Sequence, residues 1–203
     1  MIAIVDYGVG NLFSLRCSLQ SLNLDAVVTA DPAAIHNADR VILPGVGAFG
    51  DAIDKLRATG LERTVLEEAG RGKPLLGICL GMQLLFDKGY EFGEHDGLGL
   101  LRGSVVPMQG SIPPELKIPQ MGWNALIQKR PHPLLAEVKE GDCVYFVHSF
   151  YAADCDDSLV ATTEYGRELT AVVAKDNVMG CQFHPEKSGN VGLKILRAFS
   201  EMA

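Results

Sequence analysis

Cys79 stands between two glycines in Gly77-Ile78-Cys79-Leu80-Gly81, where the apolar run 74–78 gives way to residues at helical spacing. A thiol placed on a sharp strand-to-helix turn is the arrangement of an exposed nucleophile, since Gly-x-nucleophile-x-Gly holds the reactive atom out on a strained backbone. Side chains two positions to either side would collide in such a turn, and Gly77 and Gly81 remove them. A helix start also presents a positive dipole end, which favours the thiolate that attacks. The same residues would equally describe a small buried cysteine in a well-packed turn. A base decides between the two.

The stretch Gln182–Ser188, QFHPEKS, supplies one. If the segment is extended, His184 and Glu186 lie two apart and project to one face, with Pro185 holding His184 in the β region. The carboxylate can then orient the imidazole, which completes a nucleophile, base and acid set of Cys79, His184 and Glu186. A lone His before Pro is otherwise a loop or capping residue. Beside a cysteine elbow the catalytic reading is the stronger.

Elements that could hold these groups are legible along the chain. IAIVDYG (2–8) reads as a buried parallel strand, and NLFSLRCSLQSL (11–22) as a helix with Asn11 as its N-cap. DAVVTA (25–30) and DRVILPG (39–45) read as the next strands, 51–72 as one helix closed by Gly, and PLLGI (74–78) as the strand entering the Cys79 turn. Alternation of this kind predicts an α/β fold, an open, mostly parallel twisted sheet with helices on both faces. From about Gly97 to Gly180 the helical period vanishes. LLRGSVVPM, CVYFVHSFYAA, LVATTEY, LTAVVAK and VMGCQFH are strand-like runs that predict a β-rich, antiparallel portion in the second half, before an amphipathic helix ends the chain from Ser188.

The 203 residues, 47% of them hydrophobic, predict a single domain over 1–203, and the net charge of −7 disfavours nucleic acid or an anionic membrane as partner. Five widely spaced cysteines without a CxxC pair suggest neither a disulfide framework nor a metal site. With no leader-like start and no apolar run of spanning length, a cytoplasmic protein is expected. Gly8-Val9-Gly10 lacks the third glycine of a dinucleotide fingerprint, which falls at Phe13, so no cofactor is expected. Cys17, Cys143, Cys155 and Cys181 are expected to be inert, and the acidic runs LEEAG (66–70) and DCDD (154–157) to be solvated faces.

The elbow GICLGMQLL, with Gln83 at the fourth position after the cysteine, together with FHPEKS, closely resembles the triad-type (class I) glutamine amidotransferases, over nearly the whole chain. DYGVGN (6–11), LPGVGAFGDA (43–52), PQMGWN (119–124) and YFVHSFY (145–151) resemble one branch of that family, the glutaminase subunits of imidazole glycerol phosphate synthases; PGVG stands where other branches carry Pro-Gly-Gly-x. The resemblance implies that Cys79 attacks the carboxamide of L-glutamine, with His184 as base and Glu186 as its orienter. It implies an oxyanion hole from the Leu80 N–H and the PGVG loop at Val46 and Gly47. Gln83 and Glu91 would hold the amino-acid end of glutamine, assisted by the backbone at His148 and Ser149.

By the same resemblance the partner is a (β/α)8-barrel cyclase subunit in a heterodimer, met by Asn11, Trp123, Tyr145 and Lys187. A peptide flip within Gly45-Val46-Gly47 would gate the oxyanion hole, glycine-flanked peptides rotating at little steric cost. From the residues alone His148 also reads as a strand histidine bonded to backbone, and PGVG as a plain glycine turn. Two other functions stay open: a glutaminase serving a different synthase, and a non-catalytic protein of similar fold that keeps the elbow cysteine as a redox sensor.

Overall fold

A computed structural model describes residues 1–202. The chain begins with β1 (Ile2–Val5), α1 (Leu12–Ser21), β2 (Ala26–Thr29), α2 (Pro32–Asn37), β3 (Arg40–Leu43), α3 (Phe49–Ala58), α4 (Leu61–Gly70), β4 (Leu75–Ile78) and the one-turn α5 (Leu80–Leu84). Nine strands follow: β5 (Phe86–Gly89), β6 (His95–Asp96), β7 (Leu101–Pro107), β8 (Gln120–Ala125), β9 (Ile127–Gln128), β10 (Cys143–His148), β11 (Phe150–Ala153), β12 (Leu159–Glu164) and β13 (Glu168–Lys175). The chain then returns through β14 (Val178–Cys181) and ends in α6 (Gly189–Ser200).

One eight-stranded sheet runs in the order β2-β1-β3-β4-β14-β13-β12-β9. Its first five strands are parallel, and the pairs from β14 through β9 are antiparallel. Alternation along the parallel strands divides the core in two. Ala3, Val5, Val41 and Leu43 face α2, α3 and α4, whereas Ile2, Ile4, Ile42 and Ile78 face α1 and α6. Ile195, Leu196 and Phe199 of α6 are fully buried, each such side chain contributing about 1.5–3 kcal/mol of transfer free energy. The mixed sheet with helices on both faces is the predicted α/β class.

Three local expectations need correction. The helix expected over 51–72 starts at Phe49 and divides into α3 and α4, because Gly60 adopts φ +75°, a left-handed turn that ends one helix and lets the next swing back over the same core. The run 143–153 is two strands in two sheets, β10 pairing with β8 and β11 with β7, broken at Ser149. Lastly, LEEAG is not a wholly solvated face. Glu68 is buried, with Arg71, Lys73 and His36 around its carboxylate.

Candidate active site

β3, β4 and β14 are neighbours and parallel, so their carboxyl ends open at the same edge of the sheet, where such sheets place ligands. β3 delivers the Pro44–Gly47 loop, β4 delivers Cys79, and β14 delivers Gln182 and His184. Groups more than a hundred residues apart in sequence therefore converge.

Cys79 has φ 54° and ψ −114°, a conformation that costs a non-glycine residue about 1–3 kcal/mol. Packing explains why it persists. A Cβ on Gly81 would lie 1.9 Å from the Leu43 carbonyl oxygen, and one on Gly77 would lie 2.7 Å from the Gly81 oxygen and the Met82 nitrogen. The Cys79 N–H is anchored to the Cys181 carbonyl at 2.8 Å. α5 is five residues long, so its macrodipole is small, and the adjacent donor is the first orphaned N–H of the helix, at Leu80.

His184 and Glu186 do meet, with Nδ1 2.8 Å from Oε1, although not on an extended segment: Pro185–Lys187 form a 3-10 turn, which brings the carboxylate to the ring nitrogen. Burial opposes charge on His184, but its hydrogen bonds with Cys79 and Glu186 outweigh that and raise the imidazole to about 10. The ring therefore favours the protonated form beside the sulfur. Asn11 starts α1 without capping it through its side chain; Nδ2 instead donates to Glu186 Oε1 at 3.4 Å.

A cavity of about 300 Å³ brings together Val46, Gly47, Cys79, Leu80, Gln83, Glu91, His148, Ser149 and His184. Its size suits a small metabolite. One Glu91 oxygen accepts the Phe49 N–H at 2.8 Å, which fixes the carboxylate at the rim. His148 is pressed down to about 4, chiefly by burial, so its ring is neutral; Nδ1 lies 2.8 Å from the Phe150 carbonyl and Nε2 2.9 Å from the Gln120 amide. It forms a fixed polar wall. Gly45 touches the elbow, since a Cβ there would lie 2.7 Å from the Gly81 nitrogen, while Gly47 at φ +97° has open space around it.

The remaining expected residues lie outside the cavity. Trp123 and Tyr145 pack edge to face at 6.0 Å, and the Lys187 ammonium sits 5.8 Å from the Tyr145 ring centre. Trp123 is 55% exposed and Met121 64%. This platform is tied to the base, because the His184 N–H donates to the Tyr145 carbonyl at 3.0 Å and Ser188 Oγ accepts the Tyr145 N–H while donating to the His184 carbonyl.

The family model described as "Glutamine amidotransferase class-I" matches residues 3–202. The chain belongs to this family. The chain is 51% identical to an "Imidazole glycerol phosphate synthase subunit HisH" from Caldanaerobacter subterraneus subsp. tengcongensis over 100% of its own length and 98% of the relative's. It is 48% identical to one from Syntrophotalea carbinolica, with both chains fully covered. In fold it matches a crystal structure of a glutamine amidotransferase (TM-score 0.76, 19% identity, 99% and 98% of the two chains) and PurLQS from Thermotoga maritima (TM-score 0.73, 22% identity, 98% and 96%).

Two residues of this candidate site escaped the sequence reading. Tyr7, buried beside the elbow, donates from its hydroxyl to the Pro44 carbonyl at 2.8 Å and so pins the glycine loop. Gln182, fully buried, bonds Gln83 and reaches the Cys79 sulfur. The signal for Tyr7 was its place within DYGVGN; nothing in periodicity marked Gln182. Among the other cysteines, burial keeps the Cys181 thiol well above its ordinary value, reinforced by Glu186 and Cys79, so it does not compete as a nucleophile.

Proposed function

We propose that residues 1–203 act as one domain, the glutaminase subunit of an imidazole glycerol phosphate synthase. The observation that carries this is the strained Cys79 elbow and His184, itself bonded to Glu186, lining one cavity together with Gln83 and Glu91. Cys79 attacks the carboxamide carbon of L-glutamine. The resulting oxyanion is held by N–H groups of Leu80 and the Val46–Gly47 loop, each such donor being worth about 3 kcal/mol in a site of this type. Protonated His184 gives its proton to the departing nitrogen, ammonia leaves, and a γ-glutamyl thioester remains on Cys79. Neutral His184 then takes a proton from water, which opens the thioester to glutamate. Glu186 holds the ring through both steps. Glu91 and the Gln83 amide oxygen receive the substrate ammonium, and the backbone at His148 and Ser149 assists in holding the amino-acid end.

Ammonia turned loose in neutral water becomes ammonium and loses its lone pair, so the product needs a dry route to its acceptor and hence a bound partner. The full-length likeness to the HisH subunits supports a synthase partner, a (β/α)8-barrel cyclase, working in histidine biosynthesis in the cytoplasm. Among the described residues no helix is long and apolar enough to cross a membrane. The Trp123–Tyr145–Lys187 platform has the aromatic and basic character of an interface centre, and Asn11 is proposed to meet the same partner. Because that platform is hydrogen-bonded to the His184 backbone, docking there bears directly on the base.

The test is glutamate release by the chain alone and then with the cyclase subunit and its nucleotide acceptor. Release should rise steeply only in the full mixture. Brisk release by the isolated chain, indifferent to cyclase and acceptor, would overturn the partner assignment and leave only the glutaminase chemistry.

A further inference from the structure

We propose that Gln182 is a positioning residue that couples the substrate-holding Gln83 to the Cys79 sulfur, donating a hydrogen bond to the nucleophile while fixing which face of the Gln83 amide meets the substrate. The inference rests on the glutaminase reading above and deepens it.

A side-chain amide can be turned end for end, so its orientation must be argued from its partners. Here a backbone carbonyl settles the order. Gln83 Nε2 lies 3.1 Å from the Phe150 carbonyl oxygen, which only accepts, so that end of Gln83 is its NH2 group. The same nitrogen lies 3.0 Å from the end of the Gln182 amide, which must therefore be an acceptor, Oε1. The other end of Gln182 is then its NH2 group, and it lies 3.8 Å from Cys79 Sγ, within reach of a sulfur acceptor. Reversing Gln182 would set two NH2 groups against each other. The sulfur thus receives a donor whatever its own protonation.

Two consequences follow. A donor aimed at sulfur favours the thiolate over the thiol, because hydrogen bonds to ionised acceptors are the stronger ones. Both hydrogens of Gln83 are also spent on the protein, so Gln83 offers the cavity its Oε1 alone, an acceptor suited to an N–H of the substrate and unsuited to a carboxylate. Gln182 is itself rigid, being fully buried with its N–H bonded to the Ala171 carbonyl at 2.9 Å.

The experiment uses the full chain with Gln182→Met, which keeps length without polar atoms, and Gln182→Glu, which keeps the acceptor for Gln83 and removes the donor to sulfur. Alkylation of Cys79 by iodoacetamide is followed across pH on the Cys79 peptide by mass spectrometry, a readout that needs neither glutamine nor partner. The midpoint should rise by about one pH unit in Gln182→Met, an alkylation roughly tenfold slower near neutrality, and by more in Gln182→Glu. In complex with the cyclase, Gln182→Met should lower kcat more than it raises KM, whereas Gln83→Met should chiefly raise KM. Unmoved midpoints in both Gln182 variants, with melting temperature alone reduced, would show Gln182 to be packing only and would overturn the proposal. A wild-type complex that releases no glutamate even with the cyclase and its nucleotide acceptor, while the midpoints still shift, would instead remove the glutaminase reading and leave the sulfur contact standing.

Discussion

Two buried carboxylates, one on each side of the sheet, are treated in opposite ways. Glu68 has every oxygen occupied: Oε1 lies 3.0 Å from His36 Nδ1 and 2.5 Å from Arg71, and Oε2 lies 2.5 Å from Lys73. Burial alone would raise its pKa, but the bonds from Lys73 and His36, the Lys73 charge and Arg71 hold it at about 2. Glu186 has one oxygen shared by His184 and Asn11, while Oε2 is buried with no partner among the described residues. A saturated carboxylate pins α4 to α2. An under-saturated one keeps its negative field for the imidazole. The difference teaches that buried charge serves the fold where it is fully answered, and that one answered by a single titratable ring is left to act on that ring, which is its role in the proposed chemistry.

The sharpest way to break the comparison is to remove the proposed nucleophile. Cys79→Ala should lower glutamate release by roughly 10⁴–10⁶-fold in the complex, and adding His184→Ala should cost almost nothing further, because the groups act as a unit. Next in size, Glu186→Gln should lower kcat by about 10²–10⁴-fold by losing the charge behind the ring, with little change in melting temperature. Glu68→Gln should do the reverse. Release per folded molecule should be unchanged, while chemical denaturation should show a loss of about 1–3 kcal/mol, the half-exposed His36 and Arg71 limiting the effect through solvent screening.

The pH dependences carry opposite signs. Glu68 is depressed from 4.5 to about 2, so its contribution is present above 4.5 and is lost as pH falls toward 2; Glu68→Gln should flatten that acid limb of stability. His184 is raised from 6.5 to about 10, so its contribution is full below 6.5 and is lost as pH rises through about 10. The smallest effect tests this directly. In Cys79→Ala the ring loses its sulfur partner, and its proton resonances should titrate at lower pH than in the wild type.

What was legible in the sequence divides along the same physical line. Short apolar strands, the glycine-flanked elbow and the His-Pro-Glu motif are local patterns, and the structure brings their residues together. Contacts made by polar residues over long separations left no local trace. Gln83 and Gln182 are ninety-nine residues apart, and Glu68 looked like one more solvated acid in an acidic run. β8 escaped as a strand because its pattern is inverted: Gln120 is fully buried while Met121 and Trp123 point outward, so hydrophobic alternation reads the wrong face. Asn11 does stand at the N-cap of α1, but its side chain turns from the helix to Glu186, a contact no local pattern marked. The break at Gly60 within 51–72 was hidden because both halves carry helical spacing toward one core.

The central claim is that Cys79, and no other thiol, is the nucleophile toward glutamine. Cys17 and Cys143 are exposed whereas Cys79 is buried at the base of its cavity, so simple accessibility and the proposed chemistry predict opposite outcomes. The direct measurement is labelling of the complex with a glutamine analogue bearing a diazoketone in place of the carboxamide, followed by peptide mass spectrometry. The account predicts label on Cys79, blocked by excess glutamine. Label on Cys17 and Cys143 with Cys79 untouched, or labelling indifferent to glutamine, would contradict it.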